Sequence, residues 1–185
     1  MRKNKRLGIR IVELARHGET EKLENLISRF PILTVNSQNL EGHTPLMAAA
    51  EFGRTELMLK LVSLGAEVDK TTKIMRTALM FAAANGHDAA VKVLISNGAS
   101  INARSEHGLT ALMYAVKHDH PEIAMTLIQS GADVSIRDNG GKTAYDIAQS
   151  SSNAQMAAIF PKSALRQGSD ALARLRRNMK LRTKP

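Results

Sequence analysis

Apolar residues in the middle of the chain recur at three- and four-residue intervals, the spacing that puts them on one face of a helix, and glycines interrupt the pattern at regular distances. Met58, Leu61 and Val62 form one such stripe, Val91, Leu94 and Ile95 a second, and Ala124, Leu127 and Ile128 a third. Each stripe predicts a short amphipathic helix, stopped by Gly65, Gly98 or Gly131 in a left-handed turn. Upstream of each lies an alanine-rich helical segment, LMAAAEFG, ALMFAAANG or ALMYAVKHD, opening on a threonine that can cap it. Pro45 suits the first turn of one such helix, where no amide hydrogen bond is lost. Ala49, Ala82 and Ala115 allow neighbouring helices to approach closely, while Gly53 and Gly86 reverse the chain between the two helices of a unit. His120 and Pro121 read as a cap and first-turn pair for the third of the apolar helices.

The units repeat. Thr44, Thr77, Thr110 and Thr143 are spaced by 33 residues, and so are the Gly-Ala pairs that begin at Gly65, Gly98 and Gly131. With the segments GHTPLMAAAEFG, RTALMFAAANG, GLTALMYAVKHD and GKTAYDIAQ, this pattern resembles the ankyrin repeat over roughly residues 7–160. The resemblance implies an all-α solenoid of helix-turn-helix units with short hairpin fingers, about five repeats including caps: 9–36, 37–69, 70–102, 103–135 and 136–160. The first repeat lacks the Thr-Pro start but keeps Ala15, Gly18, Leu23, Leu26 and Ile27 in order, and Glu13, Arg16, Glu21 and Glu24 suit a solvated N-terminal cap. Residues 143–148, followed by NAQMAAIF before Pro161, supply the last one.

Composition removes several classes of chemistry. No cysteine is present, which excludes disulfides, cysteine-ligated zinc and thiol nucleophiles, and makes a reducing cytoplasm the expected compartment. No apolar run reaches 18 residues, so a soluble chain is expected. The net charge of +9 belongs to the ends: residues 1–10 hold five basic groups and no acid, residues 161–185 hold eight against Asp170 alone, and the body between is slightly acidic. Residues 1–8 therefore read as a basic arm and 161–185 as a basic helix and tail, with Ser169 as cap, Leu172, Leu175 and Met179 on one stripe, and Arg174, Arg176, Arg177 and Lys180 around it. That helix could cover the end of the stack, or attach the chain electrostatically to nucleic acid, acidic protein or anionic lipid. No aromatic residue interleaves with these cations, which weakens any base-stacking role.

The resemblance also implies where a partner protein would bind: the concave side, made of fingertips and the exposed side of each first helix. Carried onto this sequence, the fingertip positions are Leu40, Glu41 and His43, then Lys73, Ile74 and Arg76, then Glu106, His107 and Leu109, then Asn139 and Lys142. The helix positions on the same side are Phe52, Phe81, Asn85, Tyr114, Lys117 and His118. Met75 stands where two other repeats have Gly42 and Gly108, and with Ile74 it makes an apolar tip that is either a hydrophobic anchor or a side chain folded onto the next finger. Met47, Met80 and Met113 replace the family's usual histidine and read as core filler. His118, Asp119 and His120 raise the question of a metal, but a turn residue next to a helix cap is the simpler reading, and no metal or cofactor is expected. No HExxH, GxSxG or phosphate-loop motif occurs, so no enzyme activity is expected. The expectation is a monomeric cytoplasmic adaptor or scaffold for an unidentified protein; the alternatives are nucleic-acid or anionic-membrane binding through the basic ends. The TALMYA style resembles bacterial members of the family, some of which are effectors delivered into host cells.

Overall fold

Thr44, Thr77, Thr110 and Thr143 all adopt extended backbone conformations, and the side-chain oxygen of each accepts a hydrogen bond from the amide three residues on. Each threonine therefore fixes where a helix starts, and the start recurs at the interval seen in the sequence. The last of them is reinforced by Asp146, whose carboxylate accepts from the Thr143 amide at 2.8 Å.

The computed structural model describes residues 2–29, 35–150 and 153–160. Its helices, in chain order, are α1 (Arg2–His17), α2 (Thr20–Arg29), α3 (Pro45–Glu51), α4 (Thr55–Ser63), α5 (Ala78–Ala84), α6 (Asp88–Ser96), α7 (Ala111–Lys117), α8 (Pro121–Gln129), α9 (Ala144–Ala148) and α10 (Ala154–Ile159). No strand forms among the described residues. The first eight helices pair in sequence, and the units stack: α1, α3, α5, α7 and α9 form an inner row, and α4, α6, α8 and α10 an outer row. Within the inner row α3, α5 and α7 are almost wholly buried, with Ala48, Ala49, Ala82, Ala83 and Ala115 inaccessible to solvent, so helix backbones approach with only methyl groups between them. Met47, Met80 and Met113 fill the spaces beside them and are buried, as expected of core filler. Leu61, Leu94 and Leu127 from the outer row close the core from the other side, and Met156 and Phe160 are buried toward its C-terminal end.

α1 begins at Arg2, so residues 2–8, expected as a separate arm, are continuous with the first helix of the stack. Gly8 on this helix is buried, and a Cβ there would lie 2.5 Å from the Gln38 carbonyl oxygen, so the loop packs directly on the helix backbone. The segment from 161 onward lies outside the described residues, and with it the expected tail helix bearing Leu172, Leu175 and Met179.

A second contact ties successive units. The turns within the units use Gly53 and Gly86 at φ of 62° and 81°, and the ring of the next unit's histidine, His87 or His120, sits where a Cβ would project, at 2.6 and 2.8 Å. These rings are held by hydrogen bonds from Nε2 to the carbonyls of Glu51 and Ala84, at 3.0 and 3.1 Å. His120 occupies the cap position predicted for it, but its side chain makes no capping bond; it is committed to the preceding unit instead. Asp119 takes the glycine's place in the next unit at φ 61°, and there the facing residue is Asn153, whose amide donates to the Asp119 carboxylate at 3.0 Å.

Gly86→Ala is expected to lose on the order of 1–2 kcal/mol from the left-handed backbone alone, and more from displacement of the His120 ring. In a double-mutant cycle by thermal or urea unfolding, Gly86→Ala and His120→Ala should be clearly less than additive, because the second removes the ring that the first strikes. Additive losses would show that the ring moves aside freely. Leu127→Ala, by contrast, should cost about 2–5 kcal/mol through cavity formation.

Candidate functional site

The fingers precede the capping threonines, and each is closed by a backbone hydrogen bond: Asn39 to the His43 carbonyl, Thr72 to Arg76, Ser105 to Leu109 and Asp138 to Lys142, all at 2.9–3.0 Å. Adjacent fingers are joined edge to edge, with the amides of Lys73, Glu106 and Asn139 donating to the carbonyls of Glu41, Ile74 and His107 at 3.0–3.1 Å. The fingers thus form a continuous, backbone-bonded strip along the inner helices. A side-chain acceptor also braces each one. Asn39 and Asp138 accept from two amides of their own finger, while Thr72 accepts from Arg76 and Ser105 from Leu109. This bracing position was not recognised from the sequence, although four short polar acceptors at the same 33-residue interval signal it.

The residue that ends each finger, His43, Arg76, Leu109 or Lys142, also leads into an inner helix, so its side chain meets the helix of its own or the following unit. At the centre this assembles a stack. The Arg76 guanidinium carbon lies 4.0 Å from the Phe81 ring centroid and 4.7 Å from that of Tyr114. His43 meets Phe81 at 4.9 Å with the rings inclined by 60°, and His118 lies against Tyr114 at 6.5 Å with the rings near parallel. A related contact precedes it, with Arg16 over the ring of Phe52 at 5.7 Å. Each cation–ring contact is worth about 0.5–1 kcal/mol where solvent reaches it, and more where it does not.

The positions picked out on this side differ in what they present. Leu40, Phe52, Lys73, Asn85, His107, Lys117, His118 and Lys142 are exposed. Asn85 is nevertheless engaged, donating from its side chain to the Phe81 carbonyl at 2.9 Å at the end of α5. Phe81, Tyr114 and Leu109 are buried, so they support the face from beneath instead of presenting rings and methyls to solvent. Arg76 and His43 are half-buried between them. Arg16, placed in the sequence as part of a solvated cap, reaches into the same strip. Ile74 and Met75 are 45% and 53% exposed, so neither is folded away against the next finger. Met75 has φ of 57°, the conformation that Gly42 and Gly108 adopt at φ of 85° and 75° in the same turn. Further along, His107, Leu109, Lys117, Lys142 and Ile147 line a groove of about 460 Å³.

Among the described residues, four polar side-chain atoms along this strip are buried without a hydrogen-bond partner: Nε of Arg16, Nδ1 of His43, Oε2 of Glu51 and Nε of Arg76. Burial depresses the His43 pKa, Arg16 and Arg76 add to the effect, and Glu51 and Glu41 oppose it. His118 is depressed as well, first by burial, then by Lys117, His120 and Arg76. Both histidines are therefore neutral at physiological pH.

His118, Asp119 and His120 do not converge: one stacks on Tyr114, one pairs with Asn153 and one bonds to the Ala84 carbonyl. Among the described residues no group of three His, Cys, Asp or Glu side chains is arranged to hold a metal ion. Nor is any helix among them long and apolar enough to cross a membrane. Arg174, Arg176, Arg177 and Lys180 lie outside the described residues.

A depressed imidazole pKa means that the unfolded chain takes up protons more readily than the folded one. Stability from His43 and His118 is thus complete above the ordinary value of 6.5 and is lost as pH falls through their lower folded values. Melting temperature should decline between about pH 7 and 5, and His43→Gln should flatten that decline. An unchanged slope, or an NMR titration of His43 at or above the ordinary value, would contradict the burial described here.

A family model described as ankyrin repeats (3 copies) matches residues 11–105 and 79–164. No curated protein matches the chain. The matches span most of the sequence and coincide with the stacked helix pairs and their fingers: the chain belongs to the ankyrin-repeat family.

Proposed function

We propose that this chain is a protein-protein interaction adaptor or scaffold, holding a partner protein against its fingertips and inner-helix side and carrying out no reaction of its own. Ankyrin repeats generally mediate protein-protein interaction, and the observation that carries the reading to a particular surface is the tip at Ile74 and Met75. A large side chain has been placed in a left-handed turn that glycine fits without strain, and it faces solvent. Neither the backbone nor the core gains from that choice. Contact with a partner does, since large apolar side chains beside an arginine and aromatic rings make the kind of centre on which interface energy concentrates. Exposed Leu40 and Phe52 extend the apolar surface. The cytoplasm suits this reading, since the chain has no cysteine to be oxidised. The uneven charge favours a second reading, in which the basic ends attach the chain to nucleic acid or anionic lipid.

The test separates binding from folding. Met75→Gly should keep or raise the melting temperature, a gain of up to about 1 kcal/mol from relief of the left-handed strain. The same change, and more strongly Ile74→Ala with Met75→Ala, should reduce quantitative affinity capture of a partner protein from source-cell lysate. If every captured protein is retained by the tip variants and released instead by truncation after Phe160, or by salt together with nucleic acid, the second reading replaces the first.

A further inference from the structure

We propose, resting on the reading of this face as a protein-binding surface, that Arg76, stacked between Phe81 and Tyr114, is the receptor for a carboxylate side chain of the partner, so that the bound segment carries an aspartate or glutamate beside large apolar residues that cover Ile74 and Met75. Arg76 is half-buried, yet it forms no ion pair with any described residue, its side chain donates no hydrogen bond to one, and its Nε is enclosed without an acceptor. A guanidinium has donors only along its edge. The Arg76 guanidinium carbon sits over the Phe81 and Tyr114 rings, which offer no lone-pair acceptor; the terminal nitrogens are left to water or to a partner, and a half-buried cation gains when a partner supplies a fixed acceptor.

The stack also restricts the side chain. Held by two rings, Arg76 presents its fork with little rotamer freedom left to lose, and a planar fork of this kind matches a carboxylate in two parallel bonds. The surrounding charge points the same way. Lys73, Lys117 and Lys142 are exposed on the same fingers and inner helices, and the carboxylate of Asp138 is engaged by the amides of its own turn. The nearest acids are Glu41 and Glu51 on the preceding unit, around His43, and Glu106, exposed on the finger that bonds to Ile74; the lysines with Arg76 outnumber them. Both neighbouring histidines are neutral, so Arg76 is the fixed charge at the centre of the stack. A phosphate backbone would also satisfy the guanidinium, but it offers nothing to the exposed apolar tip beside it, whereas a peptide carrying an acid and a large apolar residue answers both.

The experiment is a selection of random 12-residue peptides displayed against the full chain, followed by synthesis of enriched peptides and of counterparts with each Asp or Glu changed to Asn or Gln. Enriched sequences should carry an acid close to a large apolar residue. The amide counterparts should bind the native chain at least about tenfold more weakly, in keeping with loss of a charge-assisted pair. Against Arg76→Met the acid and amide peptides should bind alike, and Arg76→Lys should recover only part of the difference, because a lysine keeps the charge without the fork. Circular dichroism melts establish that each variant is folded; should Arg76→Met not fold, Arg76→Lys carries the comparison. Peptides that depend on Ile74 and Met75 but bind equally as acids and amides would overturn the carboxylate assignment and leave the adaptor reading standing. A selection yielding no peptide that distinguishes the native chain from Ile74→Ala/Met75→Ala would overturn both, as would displacement of bound peptides by a single-stranded oligonucleotide alone, with no acidic peptide competing.

Discussion

Everything else in this molecule depends on the approach of one inner helix to the next across a layer of methyl groups. An isolated pair of seven- and nine-residue helices, such as α5 and α6, is too short to hold itself together in water; each becomes stable because neighbours on both sides bury its faces. Ala48, Ala49, Ala82, Ala83 and Ala115 set the separation, and that separation in turn sets the spacing of the fingers. Only at this distance can the amide of Glu106 reach the Ile74 carbonyl, and only then do Phe81 and Tyr114, one from each of two adjacent helices, stand close enough to hold a guanidinium between them. The finger strip and its central stack are thus a consequence of core geometry carried outward through the fingers.

The same dependence explains what could be read from the sequence. Positions set by stacking must recur, since each unit meets its neighbours in the same way: the threonine caps, the buried alanines, the leucines of the outer row and the glycine turns were all legible from their 33-residue interval. Contacts between units were harder to see. Gly86 and His120 are 34 positions apart and read separately as a turn and a helix cap, yet the glycine is required partly because the histidine ring lies over it. The substitution of Asp119 for glycine together with Asn153 for histidine shows this as a paired choice, with a hydrogen bond in place of a packed ring. Sequence also misjudged exposure on the inner side. The repeat pattern puts Phe81 and Tyr114 on the open side, but a ring beside a long cation is covered by it, and no periodicity reports the direction of an arginine side chain.

A repeating scaffold confines its individuality to the places where the repeat is broken without harm to stacking. At core positions a departure from the pattern would disturb two neighbours at once, and the close packing leaves little room to relax. At a fingertip the only local requirement is a backbone that can turn, and the edge-to-edge hydrogen bonds involve no side chain. Met75 in place of glycine strains its own turn while leaving the bond from Glu106 to Ile74 intact. Arg76 occupies a place held by His43, Leu109 and Lys142 in the other fingers, four different chemistries on one backbone position. These two adjacent residues combine an exposed apolar side chain in a strained turn with a half-buried cation whose Nε has no acceptor. Either feature alone could be accommodated as drift. Their adjacency at the centre of the strip, with the supporting rings already in place, is what makes the proposed partner segment economical, because a single bound segment would compensate both.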